Sequence, residues 1–484
     1  MLRKILLLTA YFTVTLIHAS PEQKSAIKTN GTIVYQPTPT ANNFSDMFQE
    51  GTFYARLRNN NFYFSYDHED SGHENSLVSA LGASLVYKSA SFKGFDFNLG
   101  FYATHSFFNE SQLSSISHLK PSKDTLSRSK YVNGGSHSLY TFGQANINYK
   151  YSKTDFTLGR QLVETFYTMS NDTKMIPNSF DGFLINTKDI TDSTVQLAYL
   201  AKQKLRDHEE SHSVLMYGDA NSSSQTNPEW SQNDDSAMHK GLTYSALIAA
   251  GKPTDSPLIV LDITNNSIEN LKINFSSYNV PELLSQAMGE LNYSLNFGNL
   301  SVTPGVRYIQ QFDNGAGAVG GASLGGLAAS SSYKNPNSLD AKMIAARVVT
   351  KFDDYKLNLG YTHILDEADL VMPWRAFPTA GYTRSMGMYN WKANTKSYRI
   401  ELVKGANKTG VYKSPFIQTS ILFIDEDETK SVSDSMFYYA GVVQNIPSFP
   451  ELQYRVRIGY REFIHNTSLI SSYLDSRLEF NYLF

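Results

Sequence analysis

Apolar and polar side chains alternate one by one along most of this chain. In GFDFNLGFYATH, Phe95, Phe97, Leu99 and Phe101 stand against Asp96, Asn98, Gly100 and Tyr102. TVQLAYLAK sets Val195, Leu197 and Tyr199 against Gln196 and Ala198, and YKLNLGYTH sets Leu357, Leu359 and Tyr361 against Lys356, Asn358, Gly360 and Thr362. LQYRVRIGYREF opposes Tyr454, Val456, Ile458 and Tyr460 to Arg455, Arg457, Gly459 and Arg461. The last stretch, DSRLEFNYLF, opposes Leu478, Phe480, Tyr482 and Phe484 to Arg477, Glu479, Asn481 and Leu483. A period of two sends successive side chains to opposite faces of a strand, so these segments are strands with one apolar face and one polar face. Few stretches show helical spacing.

The pattern predicts eighteen strands, near 51–66, 77–88, 95–107, 137–150, 153–163, 179–188, 193–203, 241–263, 269–280, 283–297, 300–313, 339–353, 355–366, 396–404, 411–424, 435–444, 451–463 and 472–484. The eighth is interrupted by KPTDSP (Lys252–Pro257). Connections after even-numbered strands are mostly tight (SASFKG, YS, KDITD, FGN, DD), whereas 108–136, 164–178, 204–240, 314–338 and 367–395 follow odd-numbered ones. The short link at Val280–Glu282 is an exception. Short turns at one end and long loops at the other are what a transmembrane antiparallel β-barrel shows, with short periplasmic turns, long extracellular loops and both termini on the periplasmic side. A soluble sandwich has no reason to segregate its loops by length.

The beginning of the chain suggests a compartment. MLRKILLLTAYFTVTLIHAS carries Arg3 and Lys4, an apolar run from Ile5 to Ile17, and the small Ala19. Residues 1–19 therefore read as a secretory signal peptide, too short and too broken by threonines for a spanning helix. Residues 20–50, with QPTPTANN, read as a loose periplasmic tail and 51–484 as the barrel; Asn314–Ser332, rich in Gly, Ala and Ser, reads as a mobile loop. Without the leader, 40 basic residues face 45 acidic ones, which leaves no footprint for nucleic acid. Cysteine is absent, so no disulfide framework, thiol nucleophile or cysteine zinc site exists. Aromatics reach 13%, with 31 Tyr and 29 Phe against 3 Trp. Such residues belong where a barrel meets headgroups, and alternation hides barrel strands from hydropathy windows.

The two faces then need two solvents. An arginine at mid-depth on the lipid face would cost roughly 2–4 kcal/mol, so the polar face must line water. Alternation points Arg307, Lys356, Arg399, Arg455, Arg457, Arg461 and Arg477 inward, together with Glu401 and Glu479. A line of such cations would favour anions and carboxylates in a water-filled bore, or else pair with the lumen acids and stiffen the wall. Arg160, following Phe156 and Leu158, falls on the outward side of simple alternation. The acidic stretches DHEDSGHE (Asp67–Glu74) and DEDE (Asp425–Glu428) match no EF-hand or zinc spacing and read as solvated loop charge. No nucleophile elbow, P-loop or HExxH motif is present, so an enzyme is not expected, nor any cofactor. After the expected leader only about thirty residues (Ser20–Glu50) precede the first strand, fewer than the plug of an energised receptor would need.

FTLGRQLVETFYTMSNDTKMIPNSFDGFLI (Phe156–Ile185) resembles the stretch of OprD-family porins in which a strand ending Gly-Arg-Gln leads into an inward-folding loop. PWRAFPTAGYTRSMGMYNWKANTKSY (Pro373–Tyr398) is similar to a segment of the family's epsilonproteobacterial branch, and QEGTFYARLRNNNFYF is a looser match to its first strand. The resemblance implies an eighteen-strand barrel in the outer membrane of a Gram-negative bacterium. Small hydrophilic solutes would diffuse through it past a constriction loop at 164–178 and a ladder of basic residues. Arg160, on the Gly-Arg-Gln pattern, would then sit at a bulge or the rim, and Asn171, Asp172, Lys174 and Pro177 would lie on the constriction loop. Expected partners are outer-membrane lipid and lipopolysaccharide, the barrel-assembly machinery through the terminal strand ending in Phe484, and small solutes, in a monomer or trimer. The alternative is a structural or adhesive surface barrel whose loops plug its lumen.

Overall fold

The computed structural model describes residues 25–28, 32–70, 73–109, 125–171, 175–215, 218, 233, 239–326, 328–373, 381–388, 391–405, 411–430, 433–464 and 471–483. Eighteen antiparallel strands close into one barrel. They are β1 (Thr52–Tyr66), β2 (Ser76–Lys88), β3 (Phe95–Asn109), β4 (Ser138–Tyr151), β5 (Thr154–Gln161), β6 (Ser179–Thr187), β7 (Ser193–Lys204), β8 (Leu258–Ile268) and β9 (Leu271–Val280). The second half is β10 (Leu284–Tyr293, resuming at Leu295–Phe297), β11 (Leu300–Asp313), β12 (Ala341–Phe352), β13 (Tyr355–Ile364), β14 (Lys396–Lys404), β15 (Phe416–Asp425), β16 (Ser435–Ile446), β17 (Phe449–Phe463) and β18 (Tyr473–Leu483). Each strand pairs with its sequence neighbour, and β18 pairs back onto β1 from Tyr473 against Tyr66 to Leu483 against Arg56. Closure matters because in hydrocarbon an unpaired strand edge has no water to bond.

The short turns are made by residues that accept a left-handed backbone. Ser152, Asn270 and Asp353 have φ of 55°, 61° and 49°, the geometry that lets a tight hairpin follow the twist of its strands. Outward side chains are apolar and uncovered, as at Phe53, Leu57, Leu99, Ile147, Leu158, Ile344 and Ile400. Aromatic rings neighbour one another around the outside at both ends. Toward the short turns, Tyr149 lies 4.4 Å from Phe95 and 6.2 Å from Phe156. Toward the long loops, Tyr398 lies 5.2 Å from Tyr361 and 6.3 Å from Phe423. These are the girdles of a barrel with an apolar band between them.

Three expectations need correction. The interrupted eighth strand does not begin at 241: Tyr244–Ala249 is a short helix capped by the Thr243 side chain, and β8 starts at Leu258, beyond the prolines. The Gly/Ala/Ser loop between β11 and β12 is packed, with a helical turn at Ala316–Gly320 and Ala322 and Leu324 buried. Small residues there permit close approach: a Cβ on Gly241 would stand 3.0 Å from Gly320 Cα. Residues 25–28 and 32–50 are not loose; they hold a two-stranded ribbon and a short helix, Phe44–Gln49, both packed on the barrel. Residues 1–24, which include the expected signal peptide, lie outside the described residues.

Candidate functional site: a lumen crossed by two loops

The β5–β6 loop (162–178) turns into the barrel and touches opposite walls. On one side Val163 and Tyr167 are buried against β8 and β9, and the Tyr167 and Tyr278 rings meet edge to face at 4.8 Å. The Phe166 amide donates to Asp262 Oδ2 at 2.6 Å. On the other side Met175 and Ile176 join Tyr54, Ala80, Tyr102 and Leu139 from β1 to β4. The absence of side chains on the wall makes room for this landing: a Cβ on Gly82 would stand 2.7 Å from Met175 Sδ. Pro177 completes the return, its carbonyl accepting from Lys204 Nζ at 3.2 Å. Asn171 sits at the crossing with φ of 49°, while Asp172 and Lys174 lie outside the described residues.

A second loop, β13–β14 (365–395), also folds inward. Its first limb is tied to β9 and β11, where Tyr278 Oη donates to the Val371 carbonyl at 2.7 Å and the Val371 amide donates to Gln311 Oε1 at 2.8 Å. Its second limb, 381–388, is pinned by the Tyr382 amide on Thr362 Oγ1 (3.0 Å) and by Ser385 on Ser420 (3.0 Å). Met388 then packs on Leu422 and Phe437.

Between the two loops lies a stack of charge and rings. Arg307, inward on β11, has Phe166 of the first loop 4.8 Å from its guanidinium and Tyr382 of the second at 4.4 Å. Arg347 of β12 approaches the same Tyr382 ring at 4.4 Å. Glu290 of β10 holds the group together. It accepts from Arg307 Nε at 2.8 Å and from Tyr382 Oη at 2.7 Å, and stands 3.6 Å from Arg347. Within this stack two guanidinium groups face the one carboxylate of Glu290.

The wall from β11 round to β1 carries the other cations. Lys356 and Arg399 face inward beside Arg347, and Arg399 is paired with Glu401. Arg457 pairs with Glu479, and Arg477 Nε bonds Asp475 Oδ1 at 2.9 Å. Arg461 bonds Ser435 Oγ at 3.1 and 3.2 Å and lies over Phe463. Arg455 is inward too, yet fully enclosed among backbone carbonyls of the N-terminal ribbon.

Arg160 stands apart from the lumen cations. Its register partner Ala145 shares an outward face with Ile147 and Leu158, and its guanidinium bonds Asp181 at 2.7 and 2.9 Å and Ser211 Oγ at 2.8 Å. It therefore braces the outer rim at the long-loop end, behind the kink at Gly159 (φ +113°). The reading of DEDE as solvated loop charge is corrected as well. Glu426 pairs with Lys392, and Asp427 with Lys430, so part of DEDE braces the second loop.

Sequence reading missed Arg56, Arg58, Arg347, Glu290, Phe166 and Tyr382. The first four were accessible to the same alternation: Tyr54, Arg56, Arg58 and Asn60 are buried on one face of β1 while Phe53 and Leu57 are exposed on the other. No local period marks Phe166 or Tyr382, because loop residues reach the stack only through tertiary packing.

A closed eighteen-strand barrel with inward loops and a charged bore defines a porin-type channel. The family model described as "outer membrane porin, OprD family" matches residues 47–395, and the chain belongs to that family of outer-membrane porins. Its place is the outer membrane of a Gram-negative bacterium, where its surface meets lipid and lipopolysaccharide and its lumen passes small solutes. Similar solved structures include Pseudomonas aeruginosa OccK8 (OprE), at 16% identity and TM-score 0.66 over 90% of this chain and 99% of that one. OccK9 (OpdG) of the same organism gives 14% identity and TM-score 0.66 over 90% and 99%. Pseudomonas aeruginosa OpdK, solved with vanillate, gives 12% identity and TM-score 0.63 over 90% and 99%. No curated protein matches the chain.

Proposed function

We propose that this porin passes small anionic solutes, carboxylates first among them, by passive diffusion. The observation that carries the reading is the Phe166–Arg307–Tyr382–Arg347 stack, in which two guanidinium groups share the single carboxylate of Glu290. Lys356 and Arg399 extend that field toward the short turns, and Arg457 and Arg477 continue it on the next wall. A solute carboxylate would exchange water for these donors in steps, none of them strong enough to trap it. Aromatic carboxylates suit the stack because rings and guanidinium planes alternate in it; the OpdK neighbour was solved with vanillate, an aromatic acid.

No cofactor, energy source or enzymatic step enters this mechanism. The outward Phe480 and Tyr482 of β18 support recognition by the assembly machinery, with Phe484 beyond the described residues. A monomer and a trimer serve the mechanism equally.

One observation favours a second reading, a loop-plugged structural or adhesive barrel. The loops at 205–257, 314–340 and 365–395 contribute Leu205, Val214, Leu242, Leu247, Leu324 and Leu370 to a continuous buried cluster over β6–β12. Single-channel recording of the folded protein in a planar bilayer under a salt gradient decides between them. Discrete steps with an anion-side reversal potential support the proposed function. A cation-side reversal overturns its sign, and silence from a verified barrel favours the plugged reading.

A further inference from the structure

The chain ahead of β1 enters the barrel. Ser25–Ile27 and Ile33–Tyr35 pair antiparallel, with Ala26 opposite Val34. Ser25, Ala26 and Ile27 are buried, Ile27 completely. Arg455, on the lumen face of β17, donates from Nη2 to the carbonyls of Ile27 (3.0 Å) and Lys28 (2.7 Å), while its Nε donates to Gln453 Oε1 at 2.7 Å. The Gln453 amide reaches the Ile27 carbonyl at 3.4 Å. At the other end of the ribbon the Tyr35 ring stands edge-on to Tyr54, an inward residue of β1, at 4.8 Å. Lys88 Nζ lies 4.9 Å from the centre of the Tyr35 ring.

The ribbon therefore touches β17 on one side of β18 and β1–β2 on the other. From there the chain crosses the rim. The Ala41 amide donates to the Ser91 carbonyl at 2.8 Å, and the Ser91 amide to the Pro39 carbonyl at 2.7 Å. The helix Phe44–Gln49 then seats Met47 on the β2–β3 turn beside Ala90, with the Phe48 ring 5.4 Å from the outward Phe97. A segment clamped outside the rim by a helix and inside the lumen by an arginine stays where it is put.

From this we infer that the ribbon is a second filter of the channel, at the short-turn mouth and in series with the two-loop constriction. It removes cross-section from a mouth that the side chains of an eighteen-strand barrel leave open. It also takes Arg455 out of the solute-facing cations, because that guanidinium is spent on backbone carbonyls. The proposal presumes the conducting lumen of the proposed function, and the experiment separates the two.

Single-channel conductance is measured for the whole protein and for a variant lacking residues 25–37, with β-content and heat-dependent gel mobility confirming both barrels. Removing one of two comparable resistances in series raises conductance about two-fold, and release of Arg455 shifts the reversal potential further to the anion side. A silent whole protein with a conducting variant also supports the ribbon while overturning an open channel. Equal conductance and selectivity in the two proteins overturn the ribbon proposal. If both are silent, conduction itself fails, and the ribbon is judged by its position. The chain has no cysteine, so Ala26→Cys and the rim control Asn42→Cys each offer one thiol to a bulky membrane-impermeant maleimide. Slow labelling at 26 with fast labelling at 42 places the ribbon in the mouth, and equally fast labelling at both overturns it.

Discussion

Glu290 is the residue on which the charge of the narrowing turns. Its carboxylate answers Arg307, Arg347 and the Tyr382 hydroxyl together. Glu290→Gln keeps the shape and removes one negative charge beside the solute path. A unit charge at about 4 Å in water is worth about 1 kcal/mol, which eases anion entry about five-fold and hinders cation entry about five-fold, so the anion-to-cation permeability ratio should rise by roughly thirty-fold at most. Reversal potentials under a salt gradient test this, and an unchanged ratio would put the solute path away from the stack. Gly360 offers a steric counterpart. A Cβ there would stand 2.8 Å from the Tyr382 carbonyl oxygen, a backbone atom with little freedom to yield. Gly360→Val should push 381–388 off the wall, raise conductance and weaken the anion preference, without loss of the barrel. Both residues illustrate what a sequence reveals. Glu290 and Arg347 were legible, since alternation alone assigns a face, but nothing local says that Gly360 is small because a loop from elsewhere lands on it.

At the scale of elements, the strands were readable and the loops were not. Strand positions repeat a two-residue period imposed by lipid on one side and water on the other, and that period locates all eighteen barrel strands even where the ends shift. The eighth was begun too early because YSALIA, an apolar run ahead of the Lys252–Pro257 break, resembles a strand until its Thr243 cap is considered. The second inward loop owes its shape to charge pairs that join distant loops. Lys430 Nζ bonds Asp427 Oδ2 at 2.7 Å and Asp366 Oδ1 at 2.8 Å, tying 365–395 to the β15–β16 connection. Partial burial pushes the Asp427 carboxyl up, but the bonds from Lys430, Thr429 and Asn394 outweigh it and hold the group well below the usual carboxylate range. The Lys430 bond lowers Asp366 in the same way. Depressed carboxyls stabilise the fold above their unfolded pKa of about 4, and that contribution is lost as pH falls through the folded values. The loop should therefore stay quiet at pH 5 and begin to flicker only in stronger acid, seen as open-channel noise. Lys430→Met should bring the same noise to neutral pH. Asp369 acts in the opposite sense. Burial raises its carboxyl despite bonds from the Ala393 amide, Ser323 and Tyr333, so its stabilising contribution fades as pH rises. Asp369→Asn should steady the loop at neutral pH while leaving the acid onset in place.

At the scale of the whole molecule, two kinds of selection coincide in one bore, and salt separates them. The loops exclude by size, which depends on packed atoms and ignores ionic strength. The cations act through a field that reaches solutes across water. The described wall from β11 to β1 holds Arg307, Arg347, Lys356, Arg399, Arg457, Arg461 and Arg477, of which Arg399, Arg457 and Arg477 already answer Glu401, Glu479 and Asp475. The protein as a whole is slightly acidic, with a formal charge of −3, so any anion preference must come from this placement rather than from net charge. The Debye length is about 10 Å at 0.1 M salt and about 3 Å at 1 M. A field originating in side chains on one wall spans the narrowed path at the lower concentration and not at the higher. The anion-to-cation permeability ratio should therefore fall toward unity between 0.1 M and 1 M salt, while the size cut-off for neutral solutes in liposome swelling stays constant. A ratio that persists at 1 M would mean that anions touch guanidinium groups directly at the stack, and Arg307→Gln would then abolish it at every salt concentration. A cut-off that moves with salt would mean that the loops are held by their ion pairs more than by their apolar contacts.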